Sequence, residues 1–295
     1  MKGKSVPIDP RRLLDTPVKE VRQSYTRRDT MLYALGVGLG ADPTDENQLR
    51  FVYEKDLAAL PTMAVVLGAD EEYMHNPNLG VDWSQALHGE EYLTLHAPLP
   101  VEGTVLCRLR IAGISDKGAG KGMVLAFERK LSDAGGRPLA TSITTAFCRT
   151  EGGYARTPGE AVMGELPPRL AAVPEGPPDA VVELPTLPQA ALIYRLSGDY
   201  TDFHADPAAA RKAGFARPFL QGLCTYGVAG HALLKGICGY DAARLRCVAA
   251  RFSSVVFPGE ALAVEMWRRG GEVSFRVWAR DRKVKVLDNG QAVIA

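Results

Sequence analysis

The order of elements in this chain predicts an α+β architecture in which antiparallel strands wrap a buried helix. Three observations carry that reading. The segment from Gln221 to Ile237 is apolar on nearly every side, which is the mark of a helix enclosed by other elements. It is followed by four β-rich runs, "RCVAARFSSVVF", "ALAVEMWRR", "EVSFRVWARD" and "VKVLDNGQAVIA", with turns at "FPGE" and "RGGE". The first half of the chain repeats the order, with an apolar run and then β-rich hairpins, so the helix-then-sheet layer is read twice.

Taken in order, the first half opens on the Tyr-led polar segment "YTRRDTMLYALGVG" from Tyr25 and continues into the apolar run "LAALPTMAVVLG". Its strands are "EYLTLHAPLP", "GTVLCRLRIAGI", "MVLAFERKLS" and "PLATSITTAFCRT". Between Glu151 and Gln189 prolines accumulate at 158, 167, 168, 174, 177, 178, 185 and 188. Proline fixes φ and removes a backbone donor, so this stretch is expected to be an extended linker without sheet or helix. The expected division is therefore a first half (1–150), a linker (151–189) and a second half (190–295).

The second half opens on "YRLSGDYTDFH" from Tyr194. In "DPAAARKAG", Asp206 and Pro207 start a short helix and Gly214 stops it. The long apolar segment then carries Gly222, Gly227 and Gly230. Each glycine costs about 1 kcal/mol relative to alanine inside a helix, so close backbone approach is the expected compensation.

Composition narrows the function. The 295 residues carry 35 Lys plus Arg against 34 Asp plus Glu, so no whole-molecule field draws the chain to nucleic acid or an anionic membrane. Hydrophobic residues make up 46 %, enough to build a core. The five cysteines (107, 148, 224, 238 and 247) show no metal-binding or redox spacing, which favours free thiols in a reducing compartment. "MKGKSVPIDPRRLL" lacks the apolar core of a secretory signal, and no run is long enough for a membrane span. The expectation is a cytoplasmic protein without metal or nucleic-acid partner.

"SGDYTDFHADP", residues 197 to 207, crowds Asp199, Asp202, His204 and Asp206 beside Gly198. A carboxylate and an imidazole five residues apart at the mouth of a buried helix can share one water, one taking a proton while the other gives one. A polar loop with an N-capping Asp is the other reading of the same residues. Cys224 and His231 lie two turns apart on the apolar helix, a long reach for nucleophile and base, and the thiol reads better as a small hydrophobe. "GVGLG" and "GAGKG" lack P-loop spacing and a dinucleotide-binding context, and read as turns.

The segment "YRLSGDYTDFHADPAAARKAGFARPFLQGLCTYG" resembles the active-site segment of the MaoC-type (R)-specific 2-enoyl-CoA hydratases, the hydratase 2 family, and within it the hydratase unit of peroxisomal multifunctional β-oxidation enzymes. "YTRRDTMLYALGVG", "LRFVYE", "LPTMAVVLG", "LHGEEYLTLHAPLP", "DKGAGKG" and "FPGEALAVEMW" follow that unit in order, so the resemblance covers nearly all the chain from about residue 20. It implies a double hot dog fold, each half a curved antiparallel sheet around a long central helix, with catalysis in the second half. The first half has Asp29 followed five positions later by Ala34 instead of His, and so lacks the pair.

By the matching motif, Asp199 and His204 become the acid/base pair, and Gly222 supplies the backbone N–H that holds the thioester oxygen. The resemblance also places CoA contacts at His88 and Gly89, at Lys117, along the loop of Gly198, Tyr200, Thr201, Asp202 and Phe203, and at Phe252. It implies hydration of trans-2-enoyl-CoA to (3R)-3-hydroxyacyl-CoA, or the reverse dehydration, in fatty acid metabolism. CoA belongs to the substrate, no cofactor is implied, and a homodimer is. Hot dog proteins that hydrolyse acyl-CoA, and a non-catalytic acyl-CoA-binding partner subunit, are the alternatives. Retention of Asp199, His204 and Gly222 together favours the hydratase.

The motif departs from the family at four places: Thr201 stands for Asn, Asp202 for Pro, Phe203 for Leu and Gln221 for His. Thr offers fewer hydrogen-bonding groups than Asn, Asp202 adds a charge whose expected direction is solvent, and Phe203 adds bulk beside the acyl site. No dehydrogenase-like or sterol-carrier-like segment flanks the unit in this sequence, and "GQAVIA" is not a Ser-Lys-Leu type signal. A separate enzyme is expected to oxidise the product.

Overall fold

A computed structural model describes residues 8–295; the reading of the extreme N-terminus falls partly on residues 1–7, outside the described residues. Eleven strands form one antiparallel sheet. They are β1 (Lys19–Tyr25), β2 (Ala86–Leu95), β3 (Gly103–Asp116), β4 (Met123–Asp133), β5 (Pro138–Cys148), β6 (Val162–Gly164), β7 (Ala180–Pro185), β8 (Leu245–Phe252), β9 (Ala261–Arg269), β10 (Glu272–Ala279) and β11 (Val284–Ile294). Their order is β1-β3-β4-β5-β2-β8-β11-β10-β9-β7, with β6 added to β3. The helices are α1 (Pro10–Leu14), α2 (Arg27–Gly36), α3 (Glu46–Val52), α4 (Glu71–Met74), α5 (Ala190–Tyr194), α6 (Pro207–Lys212) and α7 (Gly222–Leu233). None among the described residues is long and apolar enough to cross a membrane.

The two halves meet where β2 pairs with β8, Leu93 opposite Val248 and Glu91 opposite Ala250. Alternation sends Leu93, Leu95, Val248 and Ala250 into one core that runs across the seam, each large apolar side chain contributing about 1.5–3 kcal/mol on burial.

The apolar segment of the second half is α7, in which every residue from Cys224 to Leu233 is buried, extended by a π-helical turn over Leu234–Cys238. Its glycines let neighbours touch the backbone. A Cβ on Gly227 would lie 2.5 Å from Val37 Cγ1 and 2.9 Å from the Tyr33 hydroxyl, and one on Gly230 would lie 2.6 Å from Thr62 Cγ2. The helix cost of glycine is thus offset by contact with α2 and with the apolar run of the first half.

That apolar run differs from the long helix implied for it. Its regular part is a single 3₁₀ turn, Pro61–Val65. Pro61 starts the turn, and Gly68 ends the segment at φ +65°, where a side chain would collide with Cys107. Thr62 and Val65 are still fully buried, so one turn against α7 serves as the inner layer.

The expected linker also contains sheet. Residues 162–164 pair with β3, and residues 180–185 pair with β9. Both are edge additions, and proline is tolerated there because the outward N–H has no ladder partner; Pro185 takes the last position of β7. The remaining prolines lie in irregular backbone, apart from Pro158, which starts a 3₁₀ turn. The sheet of the second half therefore begins within 151–189. Strand β1, absent from the sequence reading, is a polar edge strand with only Tyr25 fully buried.

Candidate active site

Residues 195 to 222 descend from α5 to the start of α7 in a series of short turns. A 3₁₀ turn over Arg195–Ser197 ends at Gly198, whose φ of +126° lies outside the range ordinary side chains adopt. Asp199 follows, then a 3₁₀ turn over Asp202–His204. Asp206 caps α6 by accepting the Ala208 N–H at 2.7 Å, with Pro207 in the first helical position.

Asp199 and His204 face each other. Asp199 Oδ1 accepts the Thr201 backbone N–H at 3.1 Å, and Asp199 Oδ2 lies 3.9 Å from His204 Nε2. His204 Nδ1 lies 2.8 Å from the Phe219 carbonyl oxygen. A carbonyl only accepts, so the proton of the neutral ring sits on Nδ1 and Nε2 turns a lone pair toward Asp199. The separation of 3.9 Å is too long for a direct hydrogen bond and suits one water held by both groups. His204 is buried whereas the Asp199 side chain is 26 % exposed, so the pair opens to solvent from the carboxylate side.

Burial lowers the pKa of His204 below its ordinary 6.5, opposed by the negative charge of Asp199 and by the Phe219 carbonyl. The dry surroundings are aromatic. Phe203 stacks on Phe219 with ring centroids 5.2 Å apart, Phe215 packs 4.3 Å from Phe219, and both Phe203 and Phe219 meet the imidazole edge-on. Phe203, substituted relative to the family motif, thus belongs to the wall behind His204. Asp202 is exposed.

Gly222 is the first residue of α7. Its neighbour Gln221 forms no side-chain cap on the helix; the Gln221 amide instead donates to the Ala191 carbonyl at 3.1 Å. The Cys224 N–H turns back to the Gln221 carbonyl at 3.1 Å, whereas the Gly222 N–H has no partner among the described residues and lies at the positive end of the helix dipole. Phe252 covers this point: a Cβ on Gly222 would lie 3.1 Å from its ring.

The remaining sequence-predicted residues divide. His88 joins the site, its ring 4.2 Å from that of Phe252 across the seam. Gly89 forms the irregularity in the β2–β5 ladder, where a side chain would strike Thr145 Oγ1 at 2.8 Å. Tyr200 is exposed, with the Arg195 guanidinium 5.0 Å from its ring centroid. Lys117 is exposed in the turn after β3 and donates to Ser115 Oγ at 3.0 Å; no contact joins it to Asp199 or His204. Cys224 and His231 bond separate partners, the carbonyls of Gly36 and Val37. Burial raises the thiol and lowers the imidazole to about 4, leaving both neutral. Asp29 of the first half accepts the Thr26 N–H at 2.8 Å as a helix cap.

Sequence reasoning missed a buried cluster beneath His88. Glu91 is fully buried, accepts the Thr144 hydroxyl at 2.6 Å, and lies 3.2 Å from His88 Nε2 and 3.5 Å from an Arg129 nitrogen. The period-two pattern of "EEYLTL" contained the signal, since Glu91 shares the inward face with Leu93 and Leu95.

Residues 23–150 match the model of the MFE-2 hydratase 2 N-terminal domain, and residues 169–289 match that of the MaoC like domain. The chain is 37 % identical over 286 residues to the peroxisomal enoyl-CoA hydratase 2 of Arabidopsis thaliana, covering 93 % of this chain and 92 % of that one. The structure of a MaoC-like dehydratase from Phytophthora capsici superposes with a TM-score of 0.84 at 31 % identity, covering 98 % of both chains. A conserved Mycobacterium tuberculosis protein with a double hot dog fold superposes with a TM-score of 0.60 at 14 % identity, covering 95 % of this chain and 96 % of that one. The latter likeness is one of fold alone.

Proposed function

We propose the working of this site from one premise: the chain belongs to the MaoC-like hydratase 2 family. It is a hydro-lyase with a double hot dog fold. Its reaction is the (R)-specific hydration of trans-2-enoyl-CoA to (3R)-3-hydroxyacyl-CoA, or the reverse dehydration.

In this reading one water lies between Asp199 Oδ2 and His204 Nε2. One of the two groups takes a proton from it as its oxygen bonds to C3, and that proton is then passed to C2 from the same side, which returns the pair to its starting state. The added atoms are those of one water. As the C3–O bond forms, charge moves onto the thioester oxygen, where the Gly222 N–H at the start of α7 receives it. Removing such a preorganised donor typically costs about 3 kcal/mol of transition-state stabilisation. The observation that supports this assignment is the fixed tautomer of His204: the Phe219 carbonyl holds Nδ1–H at 2.8 Å and points the basic nitrogen at Asp199.

His88, Gly89, Phe252 and the loop from Gly198 to Phe203 are proposed to contact the CoA thioester, with Lys117 reaching its phosphates from the surface. No cofactor enters the proposed chemistry. A homodimer in a reducing, cytoplasmic setting completes the proposal. The testing experiment follows loss of enoyl-thioester absorbance over short, medium and branched acyl-CoAs, with product stereochemistry and free CoA release measured alongside. A 3R product without CoA release supports the reading; CoA release without hydration would replace it with a thioesterase.

A further inference from the structure

A buried ion pair with no place in the proposed proton transfers lies beneath His88. Glu91 is completely buried on β2 and Arg129 nearly so on β4, with 3.5 Å between them. Arg129 Nε has no hydrogen-bond partner among the described residues. Withdrawing two charges from water costs several kcal/mol each, and apolar replacements of a buried pair are commonly neutral or stabilising. Stability therefore does not account for this pair, whereas its contacts suggest another role.

Glu91 Oε2 accepts from Thr144 at 2.6 Å and faces His88 Nε2 at 3.2 Å. A carboxylate can only accept, so His88 donates from Nε2, and its ring plane is set by a buried anchor. That ring packs 4.2 Å from Phe252 across the β2–β8 seam. Phe252 in turn lies against the Gly222 backbone, 3.1 Å from where a Cβ would stand. The contacts form one chain from Glu91 through His88 and Phe252 to Gly222.

We infer that Glu91, paired with Arg129, is a positioning residue: acting through His88 and Phe252, it fixes the Gly222 N–H that receives charge from the thioester. The half without the acid/base pair thereby contributes to transition-state stabilisation in the other half. The inference deepens the hydratase reading and rests on it.

Two charge-balanced double variants test it. Glu91→Leu with Arg129→Met removes the anchor without leaving a buried charge; Glu91→Gln with Arg129→Met removes both charges and keeps an acceptor for His88. With comparable thermal midpoints, the Leu variant is expected to lose kcat about tenfold or more with KM changed less than about twofold, and the Gln variant to recover most of that loss. Unchanged kcat in a folded Leu variant overturns the inference. Should that variant fail to fold, imidazole ¹⁵N shifts of His88 in the unaltered protein decide: a proton on Nε2 is expected, and a bare Nε2 overturns it. A wild type that hydrates enoyl-CoA beside an unaffected Leu variant sinks only this relay, whereas an inactive wild type sinks the hydratase reading itself.

Discussion

The rings of Phe203 and Phe219 lie 11° from parallel with centroids 5.2 Å apart, and both meet the imidazole of His204. Phe203→Leu removes half of that stack and lets water approach His204. The pKa of His204 then moves up toward its ordinary value, because burial is what lowers it. The expected outcome is an acid limb of kcat/KM displaced to higher pH and a stability loss of about 1 kcal/mol. A pH–rate profile and denaturant melts check it, and an unmoved acid limb would contradict the role given to the aromatic wall.

In the unaltered protein the acid limb of kcat/KM is expected below pH 6.5, since His204 stays neutral to lower pH than a free imidazole. Stability follows the same sign. His231 binds its proton at about 4 in the folded chain and near 6.5 when unfolded, so between those values the unfolded state holds the extra proton. Stability present above pH 6.5 is thus lost as pH falls toward 4, by roughly 3 kcal/mol for this group. Urea melts across that range should show a shallower decline in His231→Gln than in the wild type; equal slopes would refute the assignment.

Gly222→Ala keeps the N–H but sets a methyl group 3.1 Å from the Phe252 ring. Displacing the first turn of α7 is expected to lower kcat about tenfold or more while KM changes little, because the donor acts on charge that develops only in the transition state. A rise in KM at constant kcat would mean that Gly222 serves binding alone.

Gly227→Ala probes the packing of α7 on α2. Its methyl group would lie 2.5 Å from Val37 and 2.9 Å from the Tyr33 hydroxyl, so helices must separate at a cost of about 1–3 kcal/mol. Calorimetric melting measures this, and a loss under about 0.5 kcal/mol would mean the contact relaxes freely.

The strands from β2 to β5 and from β8 to β11 were legible because apolar periodicity and turn residues agree along each. Strand β1 was hidden by its polar edge character, with a single buried residue at Tyr25. Strands β6 and β7 lay under a proline signal that correctly marks irregular backbone but cannot exclude edge pairing. At the site, the resemblance singled out Asp199 and His204 within a polar loop and Gly222 at the start of the apolar helix. Phe219 acts through its carbonyl, a group every residue carries, so its role had no side-chain signature. Glu91 and Arg129 were not singled out, because their pairing joins residues far apart in sequence.

The central claim is that Asp199 and His204 together move the protons of water addition. Loss of enoyl-thioester absorbance, measured with the wild type, Asp199→Asn and His204→Gln at matched protein folding, tests it most directly. The account predicts a 3R product from the wild type and a kcat at least about 100-fold lower in each variant, with enoyl-CoA binding largely kept. Wild-type turnover in either variant would contradict it.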